Sequence, residues 1–257
     1  MIELKVVACY KVVPEEQDII VKADKTLNVD KAEWKMGQYD LNAIEAGVQL
    51  AEVTGGELVA LSAGGQVVDN SKLKKAALSR GPQSLYLVAD QALETADCYT
   101  IAAALTAAIE KIGGVDLVLC GEGSGDIYAQ QVGVVLGQML GGATLNAVSK
   151  ITPDGDKLVV ERTLENEVEV LEVLLPAVIS VTTDINKPRI PTLKEIMAAG
   201  KKTAVKWSST DLQLEVSNKT ECISTLAPEE TDRKRIVIEG DSDENIAEFY
   251  EHLRKVL

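Results

Sequence analysis

A repeated alternation in the first half most constrains what this chain can become. LKVVACY, GELVALS, SLYLVAD and VDLVLCG are short apolar runs, several of them rich in valine. They predict strands buried inside a sheet. Longer stretches of helical spacing separate them. YDLNAIEAGVQLAE puts Leu41, Ile44, Val48 and Ala51 on one face. DNSKLKKAALSRG reads as a helix with Asp69 or Asn70 as cap and Gly81 as stop. TADCYTIAAALTAAIEKIGG aligns Ile101, Ala104, Leu105, Ala108 and Ile109 and ends at paired glycines. DIYAQQVGVVLGQML aligns Val132, Val135, Leu136, Met139 and Leu140. Such alternation predicts βαβ units, an α/β fold with a parallel sheet and right-handed crossovers. Ligands of such sheets sit beyond the carboxyl ends of the strands, near the point where strand order reverses. The loops after Tyr10, Leu61 and Cys120 are therefore the first candidates.

The pattern then changes. AVSKITPDGDKLVVERTLENEVEVLEVLLPAVISVTTD alternates apolar and polar residues around the turn PDGD. It predicts antiparallel strands, with LPAVISVTT re-entering the main sheet. In INKPRIPTLKEIMAAGKK, Pro188 and Pro191 impose an extended bend before a short helix, TLKEIMAAGKK. The tail from WSSTDLQLEV reads as polar and irregular up to a final helix, DSDENIAEFYEHLRKVL, acidic at its start and basic at its end.

Composition narrows the function classes. The 257 residues carry a net charge of −14, which argues against non-specific nucleic-acid binding and anionic membranes. No run reaches the length of a membrane span, and IELKVVACY follows Met1 without a basic, signal-like leader. A cytoplasmic location is expected. The four cysteines, Cys9, Cys98, Cys120 and Cys222, form no CxxC pair and read as reduced, mostly buried thiols. The one histidine, His252, reads as a surface helix residue, so histidine triads and histidine-rich metal sites have nothing to build on. No residue is assigned a catalytic or metal-binding role.

CGEGSGDIYAQQVG, Cys120 to Gly133, carries the clearest site signal. Gly121, Gly123 and Gly125 would let backbone approach a phosphate, with Asp126 capping the next helix and Gln130 reaching a ribose or phosphate oxygen. No lysine follows the glycines, so a nucleotide held here would not be positioned for γ-phosphate transfer. From the glycines alone, a nucleotide grip and a tight strand-to-helix turn are equally open. LSAGG is a second glycine turn at a strand end. In INKPRIPTLKEIM, Ile190, Leu193, Ile196 and Met197 either pack back on the core or form a pre-stiffened docking element.

Taken together, YDLNAIEAGVQL, LSAGG, CGEGSGDIYAQQVG and LPAVISVTTDINKPRIPTLKEIMAAGKK resemble the β subunit of electron transfer flavoproteins, from Lys5 to Lys202. CYKVVPEEQDI, GQYDLNAIEA and GDIYAQQVG are most similar to its Fix-type subfamily, associated with carnitine metabolism, nitrogen fixation and related anaerobic reduction. The resemblance implies a Rossmann-like, adenine nucleotide α-hydrolase-like domain over 1–185. It also implies a partner-recognition loop and short helix over 186–205, and a C-terminal arm over 206–257 that packs on an α subunit. That α subunit would share FAD with this chain and hold most of its contacts, while this chain holds AMP or a second FAD.

The family's nucleotide contacts carry over to Cys9, Gly37, Gln38, Tyr39, Asp40 and Ala63. They continue through Gly121, Gly123, Ser124, Gly125, Asp126, Gln130, Gln131, Val132, Gly133 and Val134. Its docking contacts with a flavin dehydrogenase or quinone oxidoreductase carry over to Ile190, Pro191, Leu193 as anchor, Ile196 and Met197. The role implied is electron carriage, with flavin-based bifurcation as an extension. GQYD stands where many members have NPYD or NPFC, and YKVVPEEQ where many have VKQVPDT. A nucleotide-binding regulatory module of the universal-stress type is the alternative that the α/β core alone would allow.

Overall fold

The computed structural model describes residues 3–229 and 235–256. The strands, in chain order, are β1 (Lys5–Cys9), β2 (Val12–Pro14), β3 (Ile20–Val21), β4 (Leu27–Asn28), β5 (Trp34–Met36), β6 (Glu57–Gly64) and β7 (Ser84–Ala89). They continue as β8 (Leu117–Gly121), β9 (Ala143–Asp154), β10 (Lys157–Thr163), β11 (Val168–Leu174), β12 (Ala177–Val181) and β13 (Thr203–Trp207). The helices are α1 (Gln38–Thr54), α2 (Ser71–Leu78), α3 (Cys98–Ile112), α4 (Val132–Leu140), α5 (Leu193–Ala199) and α6 (Asp243–Arg254).

One nine-stranded sheet, ordered β11-β10-β9-β12-β8-β1-β6-β7-β13, organises the molecule. From β9 to β13 every pairing is parallel, and only β10 runs antiparallel to its two neighbours. The Rossmann-like α/β expectation holds, and the PDGD turn forms the β9–β10 hairpin. β12 is buried along its whole length, as its uninterrupted apolar run requires between two neighbours and two covering layers. One core lies between the sheet and α1 and α2, including Ile44, Leu58, Leu85, Leu119 and Ile179. The other lies under α3 and α4, including Val7, Val59, Leu105, Val118 and Leu136.

Local chemistry fixes the helix ends. Asn70 accepts from the backbone N–H groups of Lys72 and Leu73, and Asp97 from that of Thr100. Gly55, Gly113 and Gly141 end α1, α3 and α4 with positive φ. Thr192 and Glu195 form a reciprocal capping box on α5, which the sequence reading did not identify.

Two expectations are corrected. The helix after the glycine loop starts at Val132 rather than Asp126, leaving 122–131 irregular. Tyr128 and Gln130 there hold left-handed φ values of 52° and 56°, which no α-helix accepts. The tail expected to be irregular from Trp207 gives its first residue to a strand, because Thr203–Trp207 forms β13 beside β7. Beyond it, Leu212, Leu214 and Val216 pack on the α3 side of the core. Asp97 accepts from the backbone N–H groups of Lys219 and Thr220. No helix among the described residues is long and apolar enough to cross a membrane.

Candidate functional site

Strand order reverses beside β1. The chain steps from β1 to β6 and β7 on one side, then crosses to β8 on the other. The carboxyl ends of β1 and β8 thus diverge at the switch point, where α/β sheets place ligands. One carboxylate spans the gap. Asp40, in the first turn of α1, accepts from the backbone N–H of Lys11 at 2.7 Å and from that of Gly121 at 3.3 Å. Gly37 closes the third side, its N–H donating to the carbonyl of Lys11 at 2.9 Å. Burial pushes the Asp40 carboxyl up to about 7, against the two backbone donors that favour its ionised form.

The glycines around Asp40 let α1 approach closely. A Cβ on Gly37 would lie 2.5 Å from Asp40 Oδ2. One on Gly121 would lie 2.7 Å from Asp40 Oδ1 and 2.7 Å from Tyr39. Both make room for α1. At Gly123 the neighbour is the Tyr128 ring, which also packs on Tyr39 with 5.4 Å between centroids. Of the three glycines at 121, 123 and 125, Gly125 alone faces open space.

Asp126 does not cap α4, whose N-cap is Gln131 with no side-chain hydrogen bond. Its carboxylate instead meets Lys11 Nζ at 2.6 Å and 2.8 Å. Burial raises the Asp126 pKa, but the Lys11 ammonium and the Ser124 hydroxyl outweigh it and hold the carboxyl below its usual range. Lys11 was not singled out from the sequence. The cation missing from the glycine loop comes from the β1 loop, and only strand order brings the two together. A lysine two residues beyond the end of β1 was the available signal.

The remaining expected residues distribute around this junction. Cys9 and Gly133 are buried, and a Cβ on Gly133 would lie 2.4 Å from Ser180 Oγ. Ser124 and Val132 are half-buried, while Gln38, Gln130, Gln131 and Val134 are exposed. Ala63 lies one strand over on β6, held near by Ser62 Oγ donating to the Tyr10 carbonyl at 2.8 Å. The first-turn N–H groups of α4 have no intrahelical acceptors, as at any helix start. Lys11 Nζ donates to Ser124 Oγ at 3.5 Å in the loop that leads to them. A cavity of about 310 Å³ lies at the opposite end of the sheet, lined by Gly113, Asp116, Leu140 and Pro176 among others, and holds none of these residues.

The 182–202 segment leaves the same sheet end from β12. Asn42 Nδ2 donates to the carbonyl of Asn186 at 2.9 Å, and Asn186 Nδ2 returns a bond to the Asn42 carbonyl at 3.0 Å. Arg189 forks onto buried Glu45, Nε to Oε2 at 2.7 Å and Nη2 to Oε1 at 3.1 Å, and reaches Glu52 at 3.0 Å. Burial raises the Glu45 pKa, yet the Arg189 hydrogen bonds outweigh it and hold the carboxyl low. Past this anchor the apolar side chains turn outward. Ile190, Leu193 and Met197 are 90%, 74% and 71% exposed, with Ile196 exposed and Pro191 half-buried. They do not pack back on the core.

A family model for the electron transfer flavoprotein domain matches residues 25–212, well over half the chain. The match takes in the Asp40 junction, the glycine loop and the 182–202 segment but stops short of Cys9 and Lys11.

Proposed function

The chain belongs to the electron transfer flavoprotein family, and on that footing we propose that it is the β-type subunit of a heterodimeric electron carrier, of the Fix-type subfamily. Family members are electron carriers rather than enzymes with their own substrate, and they associate with flavin. The observation that carries the finer reading is the junction at the switch point, where Asp40 ties the Lys11 and Gly121 loops together. Its rim offers donors for an anion, and no metal-ligand cluster is found among the described residues.

The ligand proposed there is an adenine nucleotide, AMP or a second FAD. Lys11, Ser124 and the start of α4 would hold its phosphate; Tyr39, Tyr128, Gln130 and Gln131 border its remaining groups. A flavin, when bound, supplies the one- and two-electron chemistry. This chain's residues bind and orient it, and a second flavin here would make the bifurcating extension possible. A shared FAD would sit mainly in an α-type partner.

The docking reading rests on the exposed Ile190, Leu193, Ile196 and Met197 beyond a rigid anchor. Apolar groups projecting from a proline-stiffened, capped segment suit a partner's pocket, because little ordering is left to do on binding. A flavin dehydrogenase or quinone oxidoreductase is the proposed partner. The outer sides of β11, with Val168, Val170 and Leu174 exposed, and of α6, with Ile246, Phe249 and Tyr250 exposed, offer apolar area to a partner subunit. AMP titrated into the chain should bind, and Lys11→Ala should weaken it by about tenfold, one lost charge-assisted contact. Undiminished binding by that variant would remove the phosphate from this rim.

A further inference from the structure

β1 and β8 are parallel neighbours whose pairing runs Val6 to Leu117, Val7 to Val118 and Ala8 to Leu119. The next residues along each strand are Cys9 and Cys120. Parallel strands lie about 4.8 Å apart, and residues at matching register turn their side chains to the same face. That spacing falls inside the Cα separation, about 4.4–6.8 Å, that a disulfide bridges. Both thiols sit in the same core under α3 and α4, 5% and 7% exposed. Neither is placed at random in that core. They lie at the carboxyl ends of the two strands that flank the switch point, directly beneath the glycine loop. A Cβ on Gly133 would come within 3.8 Å of Cys120 Sγ, so no side chain separates that sulfur from the start of α4. The other two cysteines differ: Cys98 is half-buried on α3 and Cys222 is exposed.

We propose that Cys9 and Cys120 form a redox modification site, a dithiol that closes to an intramolecular disulfide by exchange with a low-molecular-weight disulfide. One cysteine, as thiolate, attacks a sulfur of the small disulfide and releases one small thiol. The second cysteine gives up its proton, attacks the protein sulfur of the mixed disulfide and releases the other. Two protein thiols thus lose two electrons and two protons, and the small disulfide gains them. The neighbouring Cys120 thiol, burial and the Asp40 charge all push the Cys9 thiol above its ordinary range. Thiolate is therefore scarce in the closed structure, and exchange is slow until the overlying loop opens. The product bond would fix the Tyr10–Lys11 loop against the Gly121 loop and draw Cys120 Sγ away from Gly133.

The test uses the chain with Cys98→Ser and Cys222→Ser, so that only the pair remains. Samples equilibrate in graded ratios of oxidised to reduced glutathione. They approach equilibrium both from the native reduced protein and by refolding from urea in the same buffers, so that slow access cannot hide the product. After acid quenching, free thiols are alkylated and peptides mapped. The expected result is joint loss of both thiols, with the Cys9 and Cys120 peptides linked and the link cleared by dithiothreitol. Adding Cys9→Ser or Cys120→Ser should abolish the link, with circular dichroism confirming that each variant folds. Two free thiols, or two separate glutathione adducts, in native protein reached by both routes would overturn the proposal. AMP titration of the reduced and oxidised forms reads the consequence for the nucleotide site. That arm rests on the proposed function; the peptide map does not, so the two can fail separately.

Discussion

Asp40 shows how much one side chain can settle. Its carboxylate takes the backbone N–H groups of two loops that are 110 residues apart in sequence (Lys11 and Gly121), so it ties them together. Burial raises its pKa from the ordinary carboxylate value to about 7, so the folded state holds its proton more tightly than the unfolded chain. The resulting stabilisation is complete below about pH 4 and is lost as pH rises through about 7. It amounts to about 4 kcal/mol for about three pH units. Urea denaturation should therefore show wild type losing stability from pH 5 to pH 8. Asp40→Asn, which cannot ionise, should lack that slope. It should be less stable at pH 5 by about 1–3 kcal/mol, because its amide cannot accept both N–H groups. Equal slopes in the two proteins would place the titration elsewhere. None of this was legible in GQYDLNAIEA. The sequence marks Asp40 as a first-turn acid, and only the fold says which donors reach it.

At the scale of elements, α1 is the shared support of both candidate regions. Its first turn carries Asp40, and its next turns carry Asn42, Glu45 and Glu52, which hold the 182–202 segment. Arg189→Ala would leave Glu45, only 6% exposed at its side chain, without its charge partner. A loss of about 2 kcal/mol in urea denaturation is expected, together with faster amide exchange over 186–192. Leu193→Ala should leave stability within about 0.5 kcal/mol, because that side chain packs on nothing here. It should slow electron transfer to a partner dehydrogenase while bound flavin is retained; loss of flavin would make the segment structural. Gly133→Ala tests α4. The added carbon would collide with Ser180 Oγ, and a destabilisation of about 1–3 kcal/mol is expected by thermal melting. The strands and helices of the first half were legible because their burial follows apolar period. The late start of α4 was not, since Ile127, Val132 and Val135 continue a helical pattern through residues whose backbone turns left-handed. β13 was missed because TAVKW is five residues in a polar context, and its place beside β7 is a tertiary fact.

The whole molecule gathers its candidate functional groups at one end of the sheet. The β1 loop, the start of α1, the glycine loop and the segment after β12 all leave from the carboxyl edge. The parallel strands predicted from alternation, in the observed order β12-β8-β1-β6, bring those loops to one edge. The class of fold and the loops to inspect were thus readable from the sequence. The Lys11–Asp126 pair and the contact between the first and third loops were not, because strand order is not written in local pattern. Exposed apolar area on β11, on α6 and around Leu193 supports the proposed reading as a subunit over that of a self-contained sensor. The account stands most directly on what is bound at the switch point when the chain is purified with its partner subunit. Acid-released nucleotides should number two per heterodimer, one of them FAD and the other AMP or a second FAD. Lys11→Ala should lower only the second. A heterodimer that carries one FAD and no other adenine nucleotide would contradict the account.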